Sequence, residues 1–265
     1  MSEPSTPFAA MGTAVAQAAS QAAHSLCIDR RRDALLIVDL QPDFMPGGAL
    51  AVAEGDAVVA PIAALLAARG FETVVATQDY HPAGHISFAS RHGQPAFSAL
   101  RLHCAADGKG GVEQTLWPDH CVQGSAGAAL HNGLPREPIS VILRKGTYID
   151  TDSYSAFREN QGPGGLRRTT GLGALLRARG IERVFVCGLA RDFCVAWTAL
   201  DAMSEGFAAF VLDDLCRAVQ PAQNAATDAA FAAAGVRVIQ SGDLVFASSA
   251  PSSAQAPAVR RDGQP

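Results

Sequence analysis

Apolar and polar positions along the chain form blocks that predict short buried strands separated by helices. Strand-like apolar runs occur in ALLIVD, ETVVATQD, ISVILRKG, ERVFVCG, FAAFVLDD and VRVIQS. Helical spacing occurs in AVVAPIAALLAARG, GLGALLRARG, DFCVAWTALDAMSEG and PAQNAATDAAFAAAG, each of which closes on a glycine. Apolar strands that alternate with helices are typical of a parallel sheet covered on both faces. We therefore predict an α/β fold with three α/β/α layers and a mostly parallel, roughly six-stranded sheet.

The periodic region is not divided by a linker, which favours one domain. We expect a flexible extension over residues 1–33, the domain over 34–249 and a disordered tail over 250–265. The stretch from about 79 to 137 is rich in Gly, His, Ser and Pro and has no clear periodicity. Its segment 89–114 has no role that the sequence indicates.

Composition and charge exclude several classes of function. The chain has 265 residues and a net charge of −4, and its Lys and Arg residues form no basic stripe. We therefore expect no nucleic-acid partner. No window approaches the roughly 18 continuous apolar residues of a membrane span, so no membrane partner is expected either. A homo-oligomer is left open.

Cysteine usage and the first residues bear on the compartment. The six cysteines include no CxxC pair, so the chain does not resemble a disulfide-stapled secreted domain. The alanine-rich start has no basic residue in its first segment, and Gly12 and Gln17 interrupt its apolar run. A secretory signal has the opposite features. We therefore expect a cytoplasmic protein.

Reactive side chains follow four of the predicted strands. Asp39 follows the first strand, Asp79 and His81 the second and Lys145 the third, and a turn leads from the fourth to Cys194. In an open parallel sheet the ligand crevice lies outside the carboxyl ends of the strands. These residues are therefore expected to meet in one crevice.

Cys194 has two interpretations. It could be an ordinary packed thiol. Alternatively, its place at the predicted start of a helix, with Asp192 as the cap, would favour a thiolate nucleophile. Such a nucleophile needs a base and a neighbouring cation, and Asp39 and Lys145 could supply them.

Asp79 and His81 are spaced for a shared metal ion. Residues i and i+2 of a strand point to the same side, and Pro82 favours an extended His81. The third ligand could be His120 or Cys121, and the donor set suits zinc, iron(II) or manganese. A turn-capping Asp79 and an exposed loop histidine remain the alternative.

Five motifs together resemble one known family. They are LLIVDLQPDFMPGGAL, VVATQDYHPAGHISFA, LWPDHCVQGS, LRKGTYIDTDSYSAF and VCGLARDFCVAWTALDA, in this order within residues 34–240. The chain resembles the nicotinamidases, which are isochorismatase-like cysteine hydrolases. Related amidases of that superfamily generally share the Asp, Lys and Cys but lack the metal ligands, so the D-x-H and WPDHC elements single out the nicotinamidases.

The resemblance implies a role for each matching residue. It implies a catalytic triad of Asp39, Lys145 and Cys194; a metal held by Asp79, His81 and His120; an oxyanion hole of the backbone N–H groups of Ala190 and Cys194; and a substrate pocket that includes Phe44, Trp117, Leu189 and Tyr154. It also implies a cis peptide at Leu189–Ala190, and it leaves His85 open as an extra ligand.

The activity implied is metal-dependent hydrolysis of nicotinamide to nicotinate and ammonia through a Cys194 thioester, feeding NAD salvage. One divalent metal ion is implied, with zinc expected first and iron or manganese as alternatives. Three other hypotheses stay open. They are a metal-free amidase of the same superfamily that acts on another small amide, a non-catalytic protein that keeps the fold, and a redox protein that uses Cys187 and Cys194.

Overall fold

The computed structural model describes residues 25–103, 111–162 and 166–246. Its strands, in chain order, are β1 Leu26–Ile28, β2 Asp33–Val38, β3 Thr73–Asp79, β4 Ala99–His103, β5 Gly111–Thr115, β6 Val141–Lys145, β7 Arg183–Leu189, β8 Ala208–Arg217, β9 Arg237–Ile239 and β10 Leu244–Phe246. Its helices are α1 Val59–Ala67, α2 Ala89–His92, α3 Leu172–Ala178, α4 Ala196–Ser204 and α5 Asn224–Ala234. A π-helical turn, Arg191–Val195, leads into α4.

Six strands form the central sheet, in the order β6-β3-β2-β7-β8-β9, and every pairing is parallel. They are the six strands predicted from apolar runs, so the expected α/β fold is confirmed. Every residue of β2 and β3 is buried, as expected where both faces of a sheet are covered. Edge strand β6 instead alternates between half-buried and exposed positions, and only its last residue, Lys145, is buried.

The order of the strands creates a switch point between β2 and β7. From β2 the chain adds β3 and β6 on one side, and from β7 it adds β8 and β9 on the other. A crevice forms at the carboxyl ends of the strands where the direction of winding reverses. The residues that follow β2 and β7, at 39 and 190–194, therefore lie beside one crevice.

Two smaller sheets lie outside the prediction. β1 pairs in parallel with β10, and Ile28 is buried in the core. Residues 26–28, expected within a flexible extension, therefore form regular structure, because an apolar segment finds a partner far away in the chain. Residues 1–24 of that extension and the predicted tail lie outside the described residues.

The second small sheet is the antiparallel hairpin of β4 and β5, in which Leu100 pairs with Gln114. Its strands lie in the second half of segment 89–114 and end at Thr115, where the sequence showed no periodicity. Residues 99–102 alternate between exposed and half-buried positions and none of them is fully buried, so the apolar pattern of this strand is weak.

Among the described residues, no helix is long and apolar enough to cross a membrane.

Candidate active site

The ammonium group of Lys145 lies at the centre of a fully buried cluster. Its Nζ is 2.8 Å from Oδ2 of Asp39 and 3.4 Å from Sγ of Cys194, and it also donates a hydrogen bond to Oδ1 of Asp79. A further hydrogen bond of 3.0 Å goes to the carbonyl oxygen of Ser153. The structure thus brings together the three residues of the expected triad.

Strand register and two polar side chains set this arrangement. Asp79 and Lys145 are the last residues of β3 and β6 and are direct partners in the sheet. The side chain of Gln41 bridges to β3, since it donates to the carbonyl oxygen of Asp79 over 2.8 Å and accepts from its N–H over 2.8 Å. The hydroxyl of Thr77 donates to Oδ1 of Asp39.

The charges in the cluster depend on its burial. Burial alone would lower the pKa of Lys145, but Asp39 and Asp79 outweigh it and raise that pKa well above its usual range. Lys145 is therefore an ammonium. Burial raises the pKa of Asp39, although Lys145 opposes the shift. Asp39 is thus a stronger base than an exposed aspartate.

Asp79 behaves differently from Asp39. Burial alone would raise its pKa, but Lys145 and His81 outweigh that effect and hold it well below the usual range. Of the two carboxyl groups, Asp39 and Asp79, Asp79 is therefore the one that stays ionised.

Cys194 differs from its expected setting in two respects. It lies in the π-helical turn Arg191–Val195 rather than in the first turn of α4, and burial raises its pKa well above the usual value despite the Lys145 charge. The resting group is therefore a thiol. The carboxylate of Asp192 does not cap the helix, because it accepts hydrogen bonds from the backbone N–H groups of Val219 and Gln220.

Asp39 is placed to take the thiol proton. Its carboxylate and Sγ of Cys194 lie within 4.8 Å of each other. Within the part of the chain that the structure describes, Oδ2 of Asp39 accepts no well-aligned hydrogen bond, although it pairs with the Lys145 charge. An acceptor lone pair is therefore available beside the sulfur.

The expected metal ligands Asp79, His81 and His120 also come together. Nε2 of His81 is 3.5 Å and Nε2 of His120 is 3.8 Å from Oδ2 of Asp79. These separations are too long for direct hydrogen bonds. They are close to the roughly 3.4 Å that separates two ligands bound about 2.1 Å from a tetrahedral zinc ion.

The other ring nitrogen of each histidine is already committed. Nδ1 of His81 lies 2.9 Å from the carbonyl oxygen of Gly146, and Nδ1 of His120 lies 2.7 Å from that of Pro118. A carbonyl only accepts, so each Nδ1 carries a proton, and in the neutral ring each Nε2 offers a lone pair to a metal ion. Orientation of this kind is common for metal-binding histidines, so the residues fit a metal ion.

His85 does not offer a free nitrogen. Its ring stacks on that of His81 at 4.1 Å, Nε2 lies 3.1 Å from the carbonyl oxygen of Thr151, and Nδ1 lies 2.8 Å from Oγ of Ser87. Burial and the neighbouring His81 lower its pKa to about 4. His85 is therefore a neutral ring that supports His81. Cys121, the alternative third ligand, is fully buried, and its backbone N–H donates to Asp43.

A cavity opens beside Cys194. It is lined by Phe44, Leu50, Asp79, Trp117, His120, Asp152, Tyr154, Ala190, Phe193, Cys194 and Val219. Three expected pocket residues, Phe44, Trp117 and Tyr154, are among them. Leu189 is not, since its side chain is fully buried below the turn. The peptide bond Leu189–Ala190 is cis, as the resemblance implied.

Several residues of the site were not identified from the sequence. Phe193 packs edge-to-face on Trp117 at 4.9 Å and completes an aromatic wall with Tyr154. Asp152 is a buried carboxylate that also lines the cavity. Asp152 lies in the TDSYS segment, two residues before Tyr154, and this position could have indicated its role from the sequence.

Comparison with known proteins agrees with this geometry. Residues 33–243 match the isochorismatase domain family. The nicotinamidase of Escherichia coli (strain K12) is 45% identical over 207 residues, which are 76% of this chain and 92% of that protein. The chain belongs to the nicotinamidases of the isochorismatase family.

Two solved nicotinamidase-like structures are also similar. One, from L. infantum in complex with nicotinate, has 42% identity and a TM-score of 0.71, and the match covers 83% of this chain and 98% of that one. The other is the pyrazinamidase of Pyrococcus horikoshii in complex with zinc, with 34% identity, a TM-score of 0.61 and coverage of 79% and 99%. Zinc thus occurs in a pyrazinamidase that is similar to this chain.

Proposed function

We propose that this chain hydrolyses nicotinamide to nicotinate and ammonia with Cys194 as the nucleophile. The observation that carries the proposal is the position of Lys145, with its Nζ 2.8 Å from Asp39 and 3.4 Å from the Cys194 sulfur. The Lys145 ammonium holds the base, Asp39, and the nucleophile, Cys194, together, and Cys194 lines a cavity with aromatic walls. The nicotinate produced would feed NAD salvage.

The aromatic side chains hold the substrate. Phe44, Trp117 and Phe193 line the cavity and present rings against which a pyridine ring can pack. Binding of the ring places the carboxamide over Cys194, and this orientation lowers the barrier.

The first step forms the thioester. Asp39 takes the proton of the Cys194 thiol as the sulfur attacks the amide carbon, and the Lys145 charge stabilises the anionic sulfur. The backbone N–H groups of Ala190 and Cys194, which both line the cavity, stabilise the oxyanion; removing one such donor commonly costs about 3 kcal/mol. Asp39 then protonates the leaving nitrogen, the C–N bond breaks and ammonia departs.

The second step releases the acid. A water molecule gives a proton to Asp39 and attacks the thioester carbon, the C–S bond breaks, and the sulfur recovers its proton from Asp39. The raised pKa of Asp39 suits a group that must both accept and donate a proton. Nicotinate then leaves, and the resting thiol is restored.

Asp79, His81 and His120 would hold one divalent metal ion, and the mixed carboxylate and imidazole donor set suits zinc first, with iron or manganese as alternatives. When bound, the ion supplies a Lewis acid for the ring nitrogen of the substrate. His81 and His120 keep their Nε2 atoms directed at the site through the Gly146 and Pro118 carbonyl groups.

The test is ammonia release from nicotinamide by the purified protein, with bound metal quantified before and after chelation. We expect activity that falls on chelation and returns with added zinc. The Cys194→Ala variant should lose turnover while it still binds nicotinamide. Turnover within tenfold of the wild type would exclude Cys194 as the nucleophile.

The metal ligands have a matched control. His81→Ala should lose bound metal, whereas His92→Ala should retain it. Nε2 of His92 forms a hydrogen bond with the carbonyl oxygen of Ile86 and takes no part in the site. If the wild type releases no ammonia from nicotinamide and contains no metal, the alternative of a metal-free amidase for another small amide is favoured.

A further inference from the structure

We propose that Arg191 and Asp192 are positioning residues that hold the nucleophile turn, residues 190–195, in the geometry that the reaction needs. The inference rests on the proposed role of Cys194 as the nucleophile. The turn carries both Cys194 and Ala190, so its position sets the sulfur and the two backbone N–H groups at once. Its two charged side chains point away from the cavity and fasten the turn to other elements.

Arg191 fastens the turn to two other elements, strand β8 and helix α5. Its Nε donates to Oδ1 of Asp213 in β8 over 2.7 Å, and its Nη2 donates to Oδ1 of Asp228 in α5 over 2.6 Å. The guanidinium also lies 5.6 Å from the ring centre of Phe231. A planar fork with two separate acceptors fixes orientation as well as distance.

Asp192 fastens the turn to the backbone of Val219 and Gln220. Its two carboxylate oxygens accept the N–H groups of Val219 and Gln220 over 2.9 and 2.7 Å. Val219 itself lines the cavity. Asp192 therefore couples the position of the nucleophile to that of a residue in the cavity lining.

The arrangement is better explained by positioning than by stability. The Arg191 side chain is 7% exposed, whereas those of Asp213 and Asp228 are 36% and 54% exposed. A buried guanidinium loses its hydration, and ion pairs of this kind can often be replaced by apolar residues without loss of stability. Within the described ranges, Nη1 of Arg191 also lacks a partner, which adds a further cost. An apolar residue would fill the space, but it would not fix the orientation of the turn.

The main test is the Arg191→Met variant, assayed with nicotinamide. A displacement of reacting groups by about 1 Å can cost about 100-fold in rate. We expect kcat to fall by about 10- to 100-fold, with KM changed less than about threefold, because Phe44, Trp117 and Tyr154 line the cavity from outside the turn. Arg191→Lys, which can pair with only one carboxylate, should recover part of the loss.

The matched control is Arg183→Met. Arg183 is the first residue of β7, at the opposite end of the strand that leads into the turn, and its guanidinium pairs with the buried Asp33. That variant loses an ion pair but no contact of the turn. Its kcat, referred to folded protein, should match the wild type even if its Tm is lower.

The acidic partners provide a second test. Asp228 lies on α5, outside the cavity lining. If the Arg191–Asp228 pair has a purely structural role, Asp228→Asn should have no effect on kcat. We expect Asp213→Asn and Asp228→Asn to lower kcat, and their effects to vanish in the Arg191→Met background, as coupled residues require. If the effects of the single variants simply add in the double variants, the proposed positioning through Arg191 is overturned.

A substrate-independent measurement separates this proposal from the proposed function. The rate at which iodoacetamide labels Cys194 is followed by mass spectrometry. In Arg191→Met and in Asp192→Asn this rate should differ at least threefold from the wild-type rate. In Arg183→Met it should be unchanged. An unchanged rate together with unchanged kcat would overturn the positioning role. Failure of the wild type to hydrolyse nicotinamide would refute only the function, since the labelling result does not depend on the substrate.

Discussion

The hydroxyl of Thr77 donates a hydrogen bond to Oδ1 of Asp39, and its oxygen Oγ1 accepts one from the backbone N–H of Asp39 over 3.0 Å. Both groups are fully buried. Asp39 has a positive φ of 49°, a conformation that few side chains other than those of Asn and Asp adopt. Thr77 thus holds the base so that Oδ2 faces Lys145 and Cys194.

We expect Thr77→Val to lower kcat by about tenfold, which corresponds to about 1.4 kcal/mol and to the net value of a hydrogen bond to a charged group. Valine has nearly the same shape, so the cavity should not change and KM should stay near the wild-type value. The measurement is steady-state kinetics with nicotinamide. Thr77→Ser keeps the hydroxyl and serves as the control; if it is as slow as Thr77→Val, the hydrogen bond is not the cause.

The close approach of Gly146 to His81 gives an expectation about metal content. A Cβ at Gly146 would lie 2.4 Å from Cε1 of the His81 ring. We expect Gly146→Ala to displace that ring from the Gly146 carbonyl and reduce the metal bound at equilibrium by about tenfold or more, in the range seen when outer contacts of a metal ligand are lost. Bound metal is measured by atomic absorption after dialysis against a defined zinc concentration.

Gly93→Ala is the matched control for backbone strain. Gly93 has a φ of 59°, close to the 61° of Gly146, but a Cβ there would meet nothing within 4 Å. Both variants thus force alanine into the same unfavourable conformation. Equal metal loss in the two would show that strain, and not contact with His81, is responsible.

The residues of the site could be found from the sequence because strand order alone brings them together. Asp39 follows strand β2, and Asp79 and Lys145 are the last residues of β3 and β6; a parallel sheet collects such positions at one edge. His81 required only the strand spacing of two. His120 and the pocket aromatics were placed by the family resemblance, since they lie on loops that have no periodicity.

Other features depend on tertiary contacts that no local pattern encodes. Burial of the Cys194 sulfur outweighs the nearby Lys145 charge and raises the pKa of its thiol, an effect that its place in the sequence does not indicate. Asp192 was expected to cap a helix, but its partners come from a loop 27 and 28 residues away in the sequence. Strand β1 is three residues long, and only its partner β10 makes it recognisable.

The pKa of Cys194 gives a pH dependence. Burial raises this pKa well above its ordinary value, and alkylation requires the thiolate, which is the form favoured above the pKa. In the absence of substrate, we expect iodoacetamide labelling of Cys194 to be slow at neutral pH and to keep rising as the pH increases beyond 9. Rates followed by mass spectrometry separate Cys194 from the exposed Cys27. A plateau reached below about pH 7 would indicate a preformed thiolate, as in cysteines of depressed pKa.

The β4–β5 hairpin contributes a side chain that supports the cavity. Gln114 of β5 is buried, and its Nε2 donates to Oδ2 of Asp152 over 2.7 Å and to the carbonyl oxygen of Thr115 over 2.8 Å. Asp152 lines the cavity next to Tyr154. The hairpin, whose role could not be inferred from the sequence, thus fixes a carboxylate in the cavity lining.

We expect Gln114→Leu to destabilise the protein by about 1–3 kcal/mol, because a buried carboxylate oxygen loses its donor, and to raise KM more than it lowers kcat. Thermal unfolding and steady-state kinetics measure the two effects. Gln123→Leu is the control, since Nε2 of Gln123 also donates to a backbone carbonyl, that of Tyr80, but at an exposed position. A loss of exposed hydrogen bonding should change the Tm little. If both variants behave alike, the Gln114–Asp152 contact has no special role, whereas a KM effect confined to Gln114→Leu would assign the hairpin to substrate binding.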